Sequence, residues 1–292
     1  MPINSNDAHY NIVASAIKHT LAYQGEQPTL NEIASVLNVS AYYLQQIFKD
    51  WGNLSSEQFF EFLSKSYIRT LLKNSLPIAK MHSNGFGALT RCQDSVLRFE
   101  SLSDEAFLRL GENETIFWGL AACTYGHCLL VWTSCGLAKI AFWVANDSLA
   151  VYEQTQLKAV WPHADVQQSD RVAQQLSDRI FGDVDGSVEI AAAQPNLTLL
   201  VRGSTFQRQV WKALTLIPKG HVCSYQALAN NIGKPTAVRA VASAIAKNEH
   251  AYLVPCHRVI SGNGDFNQYR WGVTRKVALL LKESAMSPVW RV

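Results

Sequence analysis

Three dissimilar blocks follow one another along the chain and predict a multidomain fold. An all-α helix-turn-helix domain is expected over residues 1–112, a small α+β domain over 113–195, and an α-helical C-terminal domain over 196–292. Apolar residues recur at helical spacing in the first block, alternate as strands do in the second, and return as capped helical runs in the third. Charge divides the chain in a similar way. Residues 1–117 hold nine Lys and Arg against twelve Asp and Glu, residues 118–196 four against eight, and residues 197–292 thirteen against three. The net charge of +3 therefore conceals a C-terminal block of +10, the footprint expected for a polyanionic partner, although a merely solvated basic face would carry it too.

In the first block, Ile12, Ala16, Ile17 and Leu21 repeat at helical spacing, and Thr29 before Leu30-Asn31-Glu32 makes a capping-box start. From Thr29 to Phe48 the pattern is a short helix, a turn and a second helix capped by Ser40, with Ala34 small enough for close crossing. A second, weaker copy is expected from Ile78 through Gly85-Phe86 to Phe99, so the block reads as helices only, up to Gly111. The exposed face of the reading helix offers Tyr42, Tyr43, Gln45 and Gln46, with Lys49 its one basic residue. Phosphate neutralisation supplies most non-specific DNA affinity. A vestigial or partner-docking role thus stays open beside live DNA reading.

In the second block, Ile116 to Cys123, Cys128 to Thr133 and Leu137 to Val144 form a meander. Leu149 to Val160 and Ser169 to Ile180 are expected to be helices, and Gly182 to Pro195 a linker. The most apolar stretch, Leu129 to Ala145, is broken by Ser134, Gly136 and Lys139, which favours two strands and a turn over a membrane span. Cys123, Cys128 and Cys135 lie near His127, a grouping that zinc could use; the spacing is not that of a zinc finger, and core thiols without a metal are expected. The chain opens on no signal-peptide pattern, and a cytoplasmic protein with reduced cysteines is the expectation.

In the third block, Thr205 is read as capping a helix through Leu216, ended by Ile217-Pro218-Lys219-Gly220. Ser224 caps Tyr225 to Ile232, Gly233-Lys234-Pro235 turns, and Thr236 caps Ala237 to Lys247, another helix-turn-helix. The last helix is thin, with alanines at 237, 240, 242, 244 and 246. Arg239 among them fits poorly in a core, where an unpaired guanidinium is costly. A slim helix with one arginine can instead lie in a DNA groove and fill the gap left by an extruded base. Thr236, Ala240 and Ser243 are the companion candidates for DNA contact. Beyond it, Val254-Pro255-Cys256-His257-Arg258-Val259-Ile260 sits between an expected apolar strand, Ala251 to Val254, and a polar loop, Ser261 to Gly264. A free thiol with a pKa of about 8.5 is a weak nucleophile at neutral pH, and an adjacent base or positive surroundings change that. His257 and Arg258 flank the sulfur.

Tyr225, Arg239, Asn248, Pro255-Cys256-His257-Arg258-Val259, Tyr269, Lys276 and Glu283 fall in the order and spacing of the alkylguanine-DNA alkyltransferases, and residues 115–285 resemble that family. The segment from Thr29 to Phe48 with its expected copy resembles the AraC-type DNA-binding domain. These resemblances imply an AraC-like domain, then a ribonuclease H-like α+β domain, then a winged-helix-like catalytic domain. They also imply the chemistry: duplex DNA is bound, an O6-alkylguanine (O4-alkylthymine staying open) is rotated into a pocket, and Cys256 takes the alkyl group as a thioether. His257 would be the base through a water, with Glu283 fixing the imidazole and favouring its charged form. Tyr225 would donate a hydrogen bond to the departing guanine, and Asn248 would join the DNA-binding helix to the Cys256 turn. Val259 backbone groups, Tyr269 and Arg270 would line the base pocket, and Arg239 would hold the vacated stack.

The implied activity is that of a single-turnover methylated-DNA–protein-cysteine S-methyltransferase, needing no cofactor and no metal. Its implied partner is double-stranded DNA carrying alkylated guanine; no membrane is involved and a monomer is expected. Two features depart from the family. Asn267-Gln268 precede Tyr269 where glycine is common, which leaves pocket size and preferred alkyl group open. Proteins that join both segments also begin with a cysteine-rich zinc domain, whereas no cysteine precedes Cys92, so control of transcription by self-methylation is not expected. On the residues alone, a transcription regulator or lesion sensor with secondary transfer chemistry, and a cysteine hydrolase using Cys256, His257 and Glu283, remain open.

Overall fold

Thr29 and Ser55 each close a capping box, with Glu32 and Gln58 as the third helical residues, and Ser40 accepts from the Tyr43 amide at 3.1 Å. Those caps satisfy amides that the first helical turn leaves unpaired, and they fix the starts of α2 (Leu30–Val36), α3 (Ala41–Gly52) and α4 (Ser56–Leu63). With α1 (Ser5–Ala22) before them and α5 (Lys65–Asn74) after, they make up the N-terminal part of the computed structural model. The structure describes residues 5–23, 27–74, 90–92, 95–109, 112, 115–143, 153–182, 197–266 and 269–285. The helix-turn-helix stands where the sequence places it: Asn38 turns the chain at φ 54°, and Leu44, Ile47 and Phe48 of α3 point inward.

The expectation of helices alone up to Gly111 fails. Thr90–Cys92 (β1) and Ser95–Leu102 (β2) are strands, and β2 runs parallel to β7 (Leu197–Arg202). Leu97 and Phe99 alternate with Arg98 and Glu100, a period of two that favours a half-buried strand over a helix. The second helix-turn-helix copy therefore does not reach Phe99, and its middle, Ile78 to Phe86, lies outside the described residues. A short helix, α6 (Asp104–Arg109), follows β2.

The meander is present as β3 (Thr115–Cys123), β4 (Gly126–Thr133) and β5 (Gly136–Phe142). With β6 (Asp165–Gln168) these complete a seven-stranded mixed sheet of order β1-β2-β7-β5-β4-β3-β6. Successive β4 residues serve two clusters: Cys128 and Leu130 join the large core, Leu129 and Val131 a smaller one with Phe107, Trp118 and Trp161. Helix α7 (Asp170–Phe181) lies so close to β3 that a Cβ at Gly119 would stand 2.8 Å from the Ala173 Cβ. Of the helix expected from Leu149, residues 149–152 lie outside the described residues, while Glu153–Leu157 is a π-helical turn running into Lys158–Val160. The expected linker lies, after Gly182, outside them too.

Helices α8 (Thr205–Leu214), α9 (Tyr225–Asn231) and α10 (Val238–Ala246) match the expected C-terminal helices with altered caps. Ser204, not Thr205, caps α8, and α8 ends at Leu214 rather than Leu216. Ala237 stands at the cap of α10 with no side-chain bond, so Thr236 caps nothing. Residues 251–254 are turns instead of a strand, because only His250 bridges to Ile140 of β5 and Tyr252 takes a left-handed φ of 67°. The chain's last described helix is α11 (Val273–Ala285). Among the described residues no helix is long and apolar enough to cross a membrane.

One hydrophobic cluster runs unbroken from Tyr10, Trp51 and Phe62 of the N-terminal helices through Tyr125 and Phe142 to Val277 and Leu281 of α11. The Trp51 indole donates to the Thr124 carbonyl at 3.0 Å, and its ring meets Tyr125 edge-on at 6.1 Å. Helices α1 and α3 thus cover α11, whose residues from Lys276 to Ser284 are all buried.

Candidate functional site

Pro255, at φ −78° and ψ 62°, turns the chain into one 3-10 turn made of Cys256, His257 and Arg258. Val259 and Ile260 then form β9, parallel to β8 (Cys223–Ser224). Asn248, just past α10, holds this turn from inside. Its Nδ2 donates to the Val254 carbonyl at 2.9 Å, the His250 carbonyl at 3.3 Å and the Cys256 Sγ at 3.2 Å, while its Oδ1 accepts from the His250 amide at 2.9 Å. Asn248 thus ties the end of α10 to the cysteine turn.

Cys256 is buried, and burial raises its thiol pKa against the Asn248 hydrogen bond, the Lys276 charge and Tyr269. At neutral pH it rests as a thiol, so deprotonation has to be supplied. His257 is fully buried, with Nε2 2.9 Å from Glu283 Oε1 and its ring stacked against Tyr252. The carboxylate at Nε2 fixes the tautomer with the proton on that nitrogen, leaving Nδ1 as acceptor. Nδ1 has no hydrogen-bond partner among the described residues. Glu283 pulls the imidazole toward its charged form, as expected, but burial outweighs it and the net shift of His257 is downward.

Arg258 does something other than flank the sulfur. Its Nε and a terminal nitrogen hold Glu283 at 2.9 and 2.7 Å, and its other terminal nitrogen donates to the Ile217 carbonyl at 2.6 Å. The guanidinium is thus spent on the carboxylate and the turn that follows α8. Burial alone would raise the Glu283 carboxyl, yet the Arg258 and His257 charges hold it well below the usual carboxylate range. Lys276 is a further buried cation, donating to the Val259 carbonyl at 2.7 Å. Burial pushes its ammonium down to about 8 against the pull of the Cys256 and Cys223 thiols. Neither the task of Lys276 nor this use of Arg258 is announced locally in the sequence; the helical spacing of Lys276 and Glu283, seven apart on one face, is the one signal for them.

A cleft of about 1280 Å³ opens over Cys256, lined by Tyr225, Arg239, Tyr269, Arg270 and Lys276 among others. The Tyr269 hydroxyl is buried beside the sulfur, and burial, then the neighbouring Cys256, raises its pKa. Thr236, Arg239, Ala240 and Ser243 are all exposed, and the opposite face of α10 buries Val241, Ala244 and Ile245. Arg239 is therefore free of the core, as a DNA-facing role needs. One expectation needs correction. Val259 is fully buried and lines no part of the cleft, and its carbonyl is taken by Lys276. Arg270 borders the cleft and is also tied to the Asn248 carbonyl at 3.1 Å and to Glu249 at 2.9 Å, which braces the turn. Asn267-Gln268 lie outside the described residues.

The cysteines at 123, 128, 135, 223 and 256 are free thiols. Cys123 and Cys128 are buried on facing strands, Cys128 donates to the Ser177 hydroxyl at 3.7 Å, and Cys135 is exposed. Among the described residues no group of three or more His, Cys, Asp or Glu could hold a metal ion.

Residues 205–285 match the family described as 6-O-methylguanine DNA methyltransferase, DNA binding domain. Over 260 residues, 88% of this chain and 70% of the relative, the sequence is 34% identical to the bifunctional transcriptional activator/DNA repair enzyme Ada of Escherichia coli strain K12. It is 40% identical over 121 residues, 40% of this chain and 62% of the relative, to a methylated-DNA–protein-cysteine methyltransferase of Kluyveromyces lactis. A crystal structure of Mycobacterium tuberculosis OGT in complex with DNA has a TM-score of 0.45 and 28% identity, over 59% of this chain and 95% of that one.

Proposed function

This chain belongs to the family of Ada and the methylated-DNA–protein-cysteine methyltransferases, and on that premise we propose that Cys256 is its alkyl acceptor. The protein repairs DNA by moving an alkyl group from O6-alkylguanine to one of its own cysteines. The observation that carries the residue assignment is the buried row from Asn248 through Cys256 to His257 and Glu283 beneath the cleft.

The thiol proton passes through a water to His257 Nδ1, the unpaired basic atom of the site. Sulfur then attacks the alkyl carbon, the carbon–oxygen bond breaks, and the electron pair stays on guanine. The Tyr225 hydroxyl donates to the base as that charge develops. Glu283, itself neutralised by Arg258, stabilises the imidazolium while the proton is in transit. Lys276 adds positive charge beside the sulfur. The product is a thioether, a bond stable in water, so each molecule acts once. No cofactor or metal enters these steps, and reduced thiols of a cytoplasmic protein suit such an acceptor.

DNA lies along α10, with Arg239 filling the stack and Thr236, Ala240 and Ser243 at the backbone. The C-terminal +10 supplies phosphate attraction. Domains are proposed at 1–112, 113–195 and 196–292, AraC-like, ribonuclease H-like and winged-helix-like in turn, with the strands of 90–102 joined to the sheet of the second; the protein acts as a monomer. The Ada relative's second role, transcriptional activation, would fall to α2 and α3, where Tyr42, Tyr43 and Gln45 are exposed and Lys49 is the basic neighbour.

Intact-mass measurement after mixing with duplex DNA carrying one O6-methylguanine tests the reading: a single methyl gain per molecule is expected, and unchanged mass or repeated turnover overturns it. Arg239→Ala should slow repair in duplex by about tenfold or more, roughly 1.4 kcal/mol of transition-state stabilisation. Reaction with the free alkylated base should stay near the wild-type rate. Equal losses on both substrates would remove Arg239 from the stack.

A further inference from the structure

The N-terminal helices share the lining of the cleft over Cys256: Leu21 of α1, Leu63 of α4, and Lys65 and Ile68 of α5 border it together with Arg239 and Ala242 of α10. The same helices grip the loop of residues 261–266, which leaves β9 and leads to Tyr269. Lys65 pairs with Asp265 at 3.0 Å, Arg69 Nε donates to the Asn263 carbonyl at 2.9 Å, and the Phe62 and Phe266 rings stack at 6.1 Å. Gly264, at φ +89°, completes the fit, since a Cβ there would stand 3.1 Å from Arg69 Cγ. Four neighbouring positions of one short loop are thus held by one helical corner. That loop joins the catalytic turn to the tyrosine whose hydroxyl is buried beside the sulfur.

We propose that the N-terminal helical segment is a working part of the acceptor site, with Lys65 and Arg69 as positioning residues that hold loop 261–266 for the alkylated base and Leu21 and Leu63 completing the lining that Arg239 shares. The proposal rests on Cys256 as acceptor. It gives the segment a task that needs no DNA reading by α3, which is poor in positive charge. The two charged residues of α5 act through the loop and touch no reacting atom.

The test is a charge exchange in the full chain, read as single-turnover methyl transfer over a range of substrate concentrations. Lys65→Glu and Asp265→Lys each place like charges at the contact and should lower the saturated rate about fivefold, as befits an exposed pair, with little change in half-saturation. The double variant should return to within about twofold of wild type. Both the free base O6-methylguanine and the duplex should show the loss. Melting temperatures of all three variants are measured alongside and should stay close to wild type. Arg69→Ala should behave as the single charge variants do. Single variants at the wild-type rate, a loss confined to duplex DNA, or a double variant no better than the singles would each overturn the proposal. Failure of the acceptor assignment itself would show separately, as absent methyl gain in the unaltered protein.

Discussion

Cys256→Ala is expected to abolish methyl transfer while leaving the fold and DNA binding in place. The substitution deletes one buried sulfur, a loss on the order of 1 kcal/mol for so small a change in volume. Asn248 keeps its stronger hold on the turn, because the bonds to the Val254 and His250 carbonyls do not involve the sulfur. The exposed face of α10 is untouched. Intact-mass spectra after incubation with O6-methylguanine duplex should therefore show no gain, while a gel shift at fixed salt should match the parent protein. The remaining cysteines supply the control. Cys223 is buried with a thiol pKa pushed up to about 12, Cys128 is enclosed by the sheet and α7, and Cys135 is exposed far along the chain at the β4–β5 turn. A methyl group found on any of them in the variant would show that the acceptor had been misplaced.

How much of this was legible in the sequence depended on how far apart the interacting residues lie. The Cys256 turn and its Asn248 brace sit within eight residues of each other, and local spacing sufficed. The hairpins β3–β4–β5 alternate enough and turn at glycines, so the meander was visible too, although the irregularity between Val131 and Trp132 was not. The β2–β7 pair joins residues 100 apart in the chain, and no local pattern announces it. There the alternation of 97–100 was readable, but the anticipated second helix-turn-helix overrode it. Arg258 was misread for the same reason. Its partners Ile217 and Glu283 are 41 and 25 residues away, and from sequence the nearest charge-sensitive group was the adjacent sulfur.

The burial of α11 shows the same dependence on distant partners. Its sequence, with Lys276 and Lys282 flanking an apolar run, suits a helix with one wet face. The wet face is removed by α1 and α3, whose Trp51 ring lies 5.9 Å from the Lys282 ammonium. The N-terminal segment reads from sequence as a domain of its own, for DNA reading or for docking, because its helix-turn-helix signature is local. Its packing partners lie about 200 residues on, and they make it a cover for the helix that carries Lys276 and Glu283.

Glu283→Gln is expected to have the second large effect, on rate and stability together. The carboxylate is shared by two buried partners, His257 at 2.9 Å and Arg258 at 2.7 and 2.9 Å. Neutralising it strands a buried guanidinium, which costs about 3–5 kcal/mol and should lower the melting temperature by roughly 10 °C or more in a chain of this size. The folded carboxyl lies below its unfolded value of about 4.3, so its contribution is fully present above that pH and is lost as pH falls toward the folded value. The stability gap between parent and variant should accordingly be constant from pH 8 to about 5 and shrink below about 4. A gap that grew on acidification would mean that Glu283 does not carry the charge in the fold. Transfer should slow by about 100-fold or more, since the imidazole loses the charge that stabilises its protonated form. Stability and chemistry can be separated by adding Arg258→Met: a buried pair replaced on both sides by neutral groups is close to isoenergetic. The double variant should recover most of the lost melting temperature and none of the lost rate. Recovery of both would reduce Glu283 to a structural anchor for Arg258 and leave His257 to act without its carboxylate.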